Sequence, residues 1–236
     1  MIDFHSHILP GIDDGASNIE ESLKMLSSLK EQGVTTVVAT PHFLGDRSIK
    51  GFLEKRDNAY STLKSEIESR GIECPEIILG AEVALNERLL KHENLERLCI
   101  GDTRIIMIEM PYCFWDPYLY QMLFVISAQV GLRIMIAHAE RYFSLFGKNE
   151  KLFKLMDMQP VFQINTTSLD FRKGRKFIKL LDKLDSQFVL GSDCHNLNLR
   201  KPLYSQPLEF LVKKFGKEYL DEINSFSSAL LSGNSF

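Results

Sequence analysis

The chain has 236 residues, 44% of them hydrophobic and 25% charged, with a formal net charge of −3. That length supports one α/β barrel or two small domains with a substantial core, and the lack of basic excess gives no reason to expect nucleic-acid binding. No run of about 18 apolar residues is present to span a membrane, the N-terminus has no signal-peptide character, and the four cysteines (Cys74, Cys99, Cys113, Cys194) form no Cys-x-x-Cys pair, which together predict a reduced, cytoplasmic setting.

Met1 to His5 reads as a first strand. A helix follows from about Asn18 to Gln32, with Ser17 and Glu20 placed for a capping box and Ile19, Leu23, Leu26 and Leu29 as its apolar stripe. Val34 to Thr40 is a β-branched run suited to a strand covered on both faces, ended by Pro41, with His42 next. A polar helix is expected over Gly51 to Ser69, and the run Ile77 to Ala81 leads to Glu82. Arg104 to Ile108 runs into Glu109, a helix is expected over Tyr118 to Val130, and Leu132 to Ala137 runs into His138. Val161 to Ile164 ends at Asn165, a helix covers Arg172 to Leu184, and Phe188 to Ser192 ends at Asp193. From about Leu208 the chain reads as one or two terminal helices.

Seven strands alternating with helices are the signature of parallel βαβ units. In such sheets the carboxyl ends of the strands share one face. Ligand-type residues follow the first five strands and the seventh, so a single domain over residues 1–236 is expected to gather them at that face. A barrel does this where an open sheet could not.

The candidate metal ligands are His5, His7, Asp14, His42, Glu82, Glu109, His138, Asp193 and His195. His-x-His on an extended segment puts both imidazoles on one side. Mixed histidine and carboxylate donors without cysteine suit manganese, iron or zinc in a hydrolytic site. Taken singly, several have blander readings: Asp14 as a turn residue, His42 as a loop cap, His138 as a hydrogen-bonded core histidine. Glu82 and Glu109 do not, because a carboxylate ending a buried apolar strand needs a partner. His92, in Lys91-His92-Glu93-Asn94, reads as a solvated helix residue.

The Asp-x-His-x-His start, the Asp-Asp-Gly turn, Thr-Pro-His, Gly-Ala-Glu, Ile-Glu-Met-Pro, Ala-His-Ala-Glu-Arg-Tyr and Ser-Asp-Cys-His-Asn occur in order from residue 2 to about 202. This set resembles the PHP (polymerase and histidinol phosphatase) metallophosphoesterases. Within them it is most similar to the bacterial tyrosine-phosphatase branch of capsular and exopolysaccharide loci, the CpsB/YwqE type. The resemblance implies a distorted (β/α)7 TIM-like barrel with up to three ions, most often manganese, at the C-terminal face of the strands. It implies His5, His7, Glu82 and Asp193 around one ion, a bridging Glu82 with Glu109 and His138 around a second, and Asp14, His42 and His195 around a third. The implied reaction is hydrolysis of phosphotyrosine by in-line attack of a metal-bridged hydroxide. The implied substrate is the tail of a bacterial tyrosine autokinase that regulates polysaccharide synthesis. The oligomeric state is left open, a homo-oligomer included.

Arg141 follows His138 by three residues and Arg200 follows His195 by five, and a planar guanidinium matches two phosphate oxygens. Both are candidates to neutralise the phosphoryl group; a surface role is the alternative for each. Phe43, Tyr112, Phe114, Trp115, Tyr142 and Phe143 follow ligands and are candidates to wall a phenyl slot or simply to pack loops. Cys194 to Arg200 matches the Cys-x5-Arg pattern of thiol-dependent phosphatases, but its intervening residues lack the glycine that a phosphate-cradling loop favours, and that reading leaves the other ligands unexplained. Cys194 is also a departure from the family pattern, whose thiolate is a candidate competitor for metal or a site of oxidation. The rival readings are a histidinol-phosphate phosphatase or other small-molecule phosphoesterase on the same scaffold, a barrel amidohydrolase (disfavoured because no lysine stands at a strand end), and a non-catalytic metal-binding regulatory module.

Overall fold

The computed structural model describes residues 1–112, 115–142 and 154–233. Its strands are β1 (Ile2–Ser6), β2 (Thr36–Ala39), β3 (His42–Phe43), β4 (Glu76–Leu79), β5 (Glu82–Ala84), β6 (Ile105–Glu109), β7 (Arg133–Ile136), β8 (Val161–Asn165) and β9 (Phe188–Gly191). Every pairing is parallel, in the orders β1-β2-β4 and β3-β5-β6-β7-β8-β9. The nine segments occupy seven strand positions, because β2 and β3 are two halves of one line, as are β4 and β5. The strand expected to stop at Pro41 therefore breaks there and resumes: proline lacks the ladder N–H, and His42 opens the second half beside Glu82. Likewise Glu82 begins a half-strand rather than ending one. The last strand lies against the first: Asp193 N–H donates to His5 C=O (2.7 Å) and His7 N–H to Cys194 C=O (2.9 Å).

The helices are α1 (Ile19–Glu31), α2 (Ile49–Arg70), α3 (Pro117–Phe124), α4 (Arg172–Lys183), α5 (Ser205–Phe215) and α6 (Lys217–Leu231). The cap of α1 sits one residue later than Ser17 and Glu20 predict. Asn18 is the N-cap and accepts from Glu21 N–H, while the Glu21 carboxylate reaches back to Ser17 N–H and Oγ. Helix α3 starts with Asp116 capping Leu119 N–H and Pro117 in the first turn, then widens into a π turn over Val125–Gln129.

Side chains two apart on a strand share a face, and this alternation builds the site. Phe4, Val38, Met107, Met135, Val161 and Val189 meet in one buried cluster, closed at its lower end by Leu230 of α6, with Ile78 against it. Two or four residues further along the same faces come His42 above Val38, Glu82 above Ile78, Glu109 above Met107, Gln163 and Asn165 above Val161, and Asp193 above Val189. An apolar layer below therefore dictates a polar layer above. On β1 the register slips between Asp3 and Ser6, a bulge that shifts the alternation and lets His5 and His7 join that layer after Phe4. Among the described residues no helix is long and apolar enough to cross a membrane.

Candidate metal centre

All nine predicted ligands come together. His7, Asp14, His42 and His195 each offer a ligand atom within 4.8 Å of the others, as do His5, His7 and Asp193, and again His42, Glu82 and Glu109. Glu82 is the hub: Oε2 lies 3.2 Å from His5 Nε2, 3.2 Å from His7 Nε2 and 3.0 Å from His42 Nδ1, and Oε1 lies 2.9 Å from His138 Nε2. His138 Nε2 is also 3.5 Å from Glu109. The three groups overlap more than the implied partition, with His7 reaching the Asp14 group and His42 reaching the Glu82–Glu109 group.

The donor chemistry fits cations. Four of the five clustered imidazoles have Nδ1 engaged outside the cluster: His5 on Gln163 Oε1 (2.9 Å), His7 on Asp13 Oδ2 (2.8 Å), His195 on Asp193 C=O (3.0 Å) and His138 on Tyr142 Oη (3.3 Å). The Tyr142 hydroxyl gives its own proton to Met110 C=O (2.8 Å), so it accepts from His138. With Nδ1 protonated, each Nε2 turns a lone pair inward, the arrangement that outer partners impose on ligating histidines. His5 Nε2 and His7 Nε2 then face each other at 3.2 Å, which is unfavourable unless a positive charge lies between them. Among the described residues the buried side-chain atoms without a hydrogen-bond partner are Asp3 Oδ2, His42 Nδ1 and Glu82 Oε2, two of them in this cluster.

Asp13, Gln163, Asn165 and Tyr142 thus hold the site, and the sequence reading gave none of them that part. Gln163 Oε1 also accepts from His138 N–H (2.7 Å), its Nε2 donates to Asn165 Oδ1 (3.0 Å), and Asn165 Nδ2 donates to Asp193 Oδ2 (2.8 Å). Their signal was present: polar residues at alternate positions of the apolar strand Val161-Phe162-Gln163-Ile164-Asn165. The backbone is bent to fit. His138 (φ 33°) and Asp193 (φ 53°) sit in the left-handed region that non-glycine residues avoid, a cost tolerated where function requires it. Gly191 is obligatory, since a Cβ there would lie 2.6 Å from His5 Cβ and 2.7 Å from Gln163 Nε2.

Burial opposes charge on His7 and His138, yet the carboxylates of Asp13 and Glu82, and of Glu109 and Glu82, lift both to about 9. For His195 burial and the charges of His7 and Arg200 act together, lowering it to about 4. Burial pushes Asp193 up, but His5, Arg141 and His7 outweigh it and hold the carboxyl well below its usual range.

Arg141 Nη2 is paired with Asp193 Oδ2 from one side, and Arg200 Nη2 reaches Asp193 Oδ1 (2.6 Å) from the other while Nη1 meets His195 Nε2 (2.6 Å). Both guanidiniums therefore stand at the cluster. A cleft of about 430 Å³ opens beside it, lined by Glu109, Tyr112, His138, Arg141 and Tyr142 among others. Of the predicted slot aromatics, Tyr112 and Tyr142 line it. Phe43 and Trp115 are buried in the core instead, against Phe52 and Tyr142; Phe114 and Phe143 lie outside the described residues. His92 is no solvated helix residue: it follows a 3₁₀ turn, packs on Phe43 and contacts Gly45 C=O. Cys194 is fully buried and burial pushes its thiol up, so it is neither a nucleophile nor a competing thiolate.

The family model for capsular polysaccharide synthesis, CpsB/CapC, matches residues 1–230. The tyrosine-protein phosphatase YwqE of Bacillus subtilis is 30% identical over 231 residues, 92% of this chain and 86% of that protein. The tyrosine-protein phosphatase CpsB of Streptococcus agalactiae is 29% identical, covering 94% of each chain. A crystal structure from the pair YwqE of Bacillus subtilis and CpsB of Streptococcus pneumoniae, described as unique metal-dependent tyrosine phosphatases, superposes with a TM-score of 0.83 and 25% identity over 100% of this chain and 96% of that one.

Proposed function

The chain belongs to the CpsB/CapC family of capsular polysaccharide synthesis, and from that membership we propose that it is a metal-dependent protein-tyrosine phosphatase acting in the cytoplasm as one domain. The observation that carries the reading is the convergence of three Nε2 lone pairs, from His5, His7 and His138, on Glu82, with Asp193 beside the first two and two arginines flanking it. His5, His7, Glu82 and Asp193 would hold one ion, Glu82, Glu109 and His138 a second, and Asp14, His42 and His195 a third, with manganese the expected metal. Such ions supply Lewis acidity to phosphoryl oxygens and lower the pKa of water towards neutrality.

The chain's own residues do the rest. Arg141 and Arg200 reach Asp193 with guanidiniums more than a third exposed, so each can turn to the phosphoryl oxygens and stabilise the charge that spreads over them. The cleft beside Glu109, walled by Tyr112 and Tyr142, receives the phenyl ring. A tyrosine leaving group has a pKa near ~10, so departure needs less protonation than an alkyl ester does. The substrate would be a phosphotyrosine protein, with the tail of a bacterial tyrosine kinase the candidate.

The test is hydrolysis of a phosphotyrosine peptide by metal-stripped protein, with and without manganese, beside histidinol phosphate. Manganese-restored cleavage of the peptide is expected; no cleavage with any metal overturns the reading. His5→Ala and Asp193→Ala should each abolish turnover while circular dichroism stays unchanged, and Cys194→Ser should keep most of it. A dead Cys194→Ser enzyme that ignores chelators would sink the metal mechanism.

A further inference from the structure

A second cleft, of about 470 Å³, shares Tyr112 and Arg141 with the first and runs to the start of α4, where Phe171 and Lys173 line it. Phe171 and Tyr112 are exposed there, 67% and 70%. Lys173 Nζ lies 3.5 Å from the Arg141 carbonyl oxygen, which ties the start of α4 to the joint between the clefts. From this point a basic stripe continues along the helix. Arg172, Lys176, Lys179 and Lys183 occur at spacings of four, three and four, which puts them on one face. All four are exposed, while Phe177, Ile178 and Leu181 bury the opposite face. The ion pairs among the described residues include none with these four, and the helix's one carboxylate, Asp182, bonds Tyr219 instead. In a protein of net charge −3 this is a local excess of the opposite sign.

We propose that the α4 stripe, entered through the second cleft, docks an acidic segment adjoining the phosphotyrosine, so that the enzyme prefers phosphotyrosines flanked by Asp or Glu. This rests on the phosphatase reading of the neighbouring site. The geometry suits an extended peptide: a helix of 12 residues is about 18 Å long, which five or six extended residues span. Complementary charge of this kind acts on capture of the substrate more than on the bond-breaking step. The effect therefore belongs in KM and not in kcat. A merely solvated helix face would produce no such preference.

The experiment uses manganese-loaded full-length protein and phosphotyrosine peptides with neutral flanks, with three Glu before the phosphotyrosine, or with three Glu after it. One acidic peptide should show a KM about 3- to 10-fold below the neutral one, the range that two or three exposed ion pairs supply. The double variant Lys176→Glu/Lys179→Glu should erase that advantage and leave the neutral peptide's kinetics unchanged, and about 1 M salt, where screening is nearly complete, should erase the difference between the peptides in the wild type. Lys64→Glu, on α2, should leave the preference intact. Equal KM values in the wild type, or a preference that survives in the double variant, overturn the proposal. If no peptide is hydrolysed the phosphatase reading falls, and fluorescence anisotropy with the same peptides and variants then decides the stripe alone: binding that ignores the Glu flanks overturns it.

Discussion

Gln163 shows how much a single buried amide decides. Its carbonyl oxygen serves the His5 ring and His138 N–H at once, and its amide group orders Asn165 against Asp193. It thereby fixes ligands from three strands. Gln163→Leu keeps the volume but frees the His5 ring, so metal affinity should fall about 10- to 100-fold, the usual cost of losing an outer partner. Calorimetric titration of manganese into stripped protein checks this, and an unchanged affinity would show that the ring is held otherwise. The nine candidate ligands were legible in the sequence, most of them as metal-binding residue types standing where an apolar run breaks and Asp14 through the ordered motif set. Gln163 and Asn165 left only the hint of polar residues alternating on an apolar strand, since their parts depend on which face they share, and Asp13 left none, since nothing local says which of two adjacent aspartates turns inward. Asp13, beside the recognised Asp14, is the one that bonds His7 and accepts from His42 N–H (3.0 Å).

At the scale of elements, the alternation of strands and helices came through from β-branched runs and caps, whereas the breaks inside strand positions did not. Pro41 ends a ladder on any local reading; only the neighbouring Glu82 half-strand shows that the line resumes. The β1 bulge is equally invisible locally, yet it brings His5 into the polar layer. The division into an apolar layer closed by α6 and a polar layer above makes a prediction about separability. Leu230 is buried in the central cluster and lines a surface cleft with Ile105 and Arg133, the first residues of β6 and β7, at the strand ends opposite the candidate ligands. Leu230→Ala should cost about 2–5 kcal/mol of stability, read by urea unfolding of stripped protein, with kcat/KM of the loaded enzyme unchanged. Gly191→Ala strikes the upper layer instead. Its new Cβ must displace His5, which lies 2.6 Å away at Cβ and 3.0 Å at the backbone nitrogen, so overpacking of about 1–3 kcal/mol should come with loss of turnover. Equal effects of the two variants on activity would contradict the layering.

On the proposed metal reading, the molecule as a whole couples protons to metal through these buried histidines. Without ions, His7 and His138 titrate at about 9, above the value of about 6.5 for an unfolded histidine. Their protonated rings, held by Asp13, Glu82 and Glu109, therefore stabilise the fold fully below pH ~6.5, and that contribution is lost as pH rises through about 9. His195, lowered to about 4, has the opposite sign and acts only below pH ~6.5, so it leaves this window untouched. Ions need the same nitrogens unprotonated. Manganese binding at pH 7 should thus release protons, acidifying a weakly buffered solution, and the release should be halved near pH ~9 and vanish about one to two pH units above it. Melting curves across pH 6.5 to 9 carry the second half of the argument: the stripped protein should lose Tm while the gap between stripped and manganese-saturated protein widens. A gap that stays constant over that range, with no proton release at pH 7, would mean that the histidines are neutral before the metal arrives.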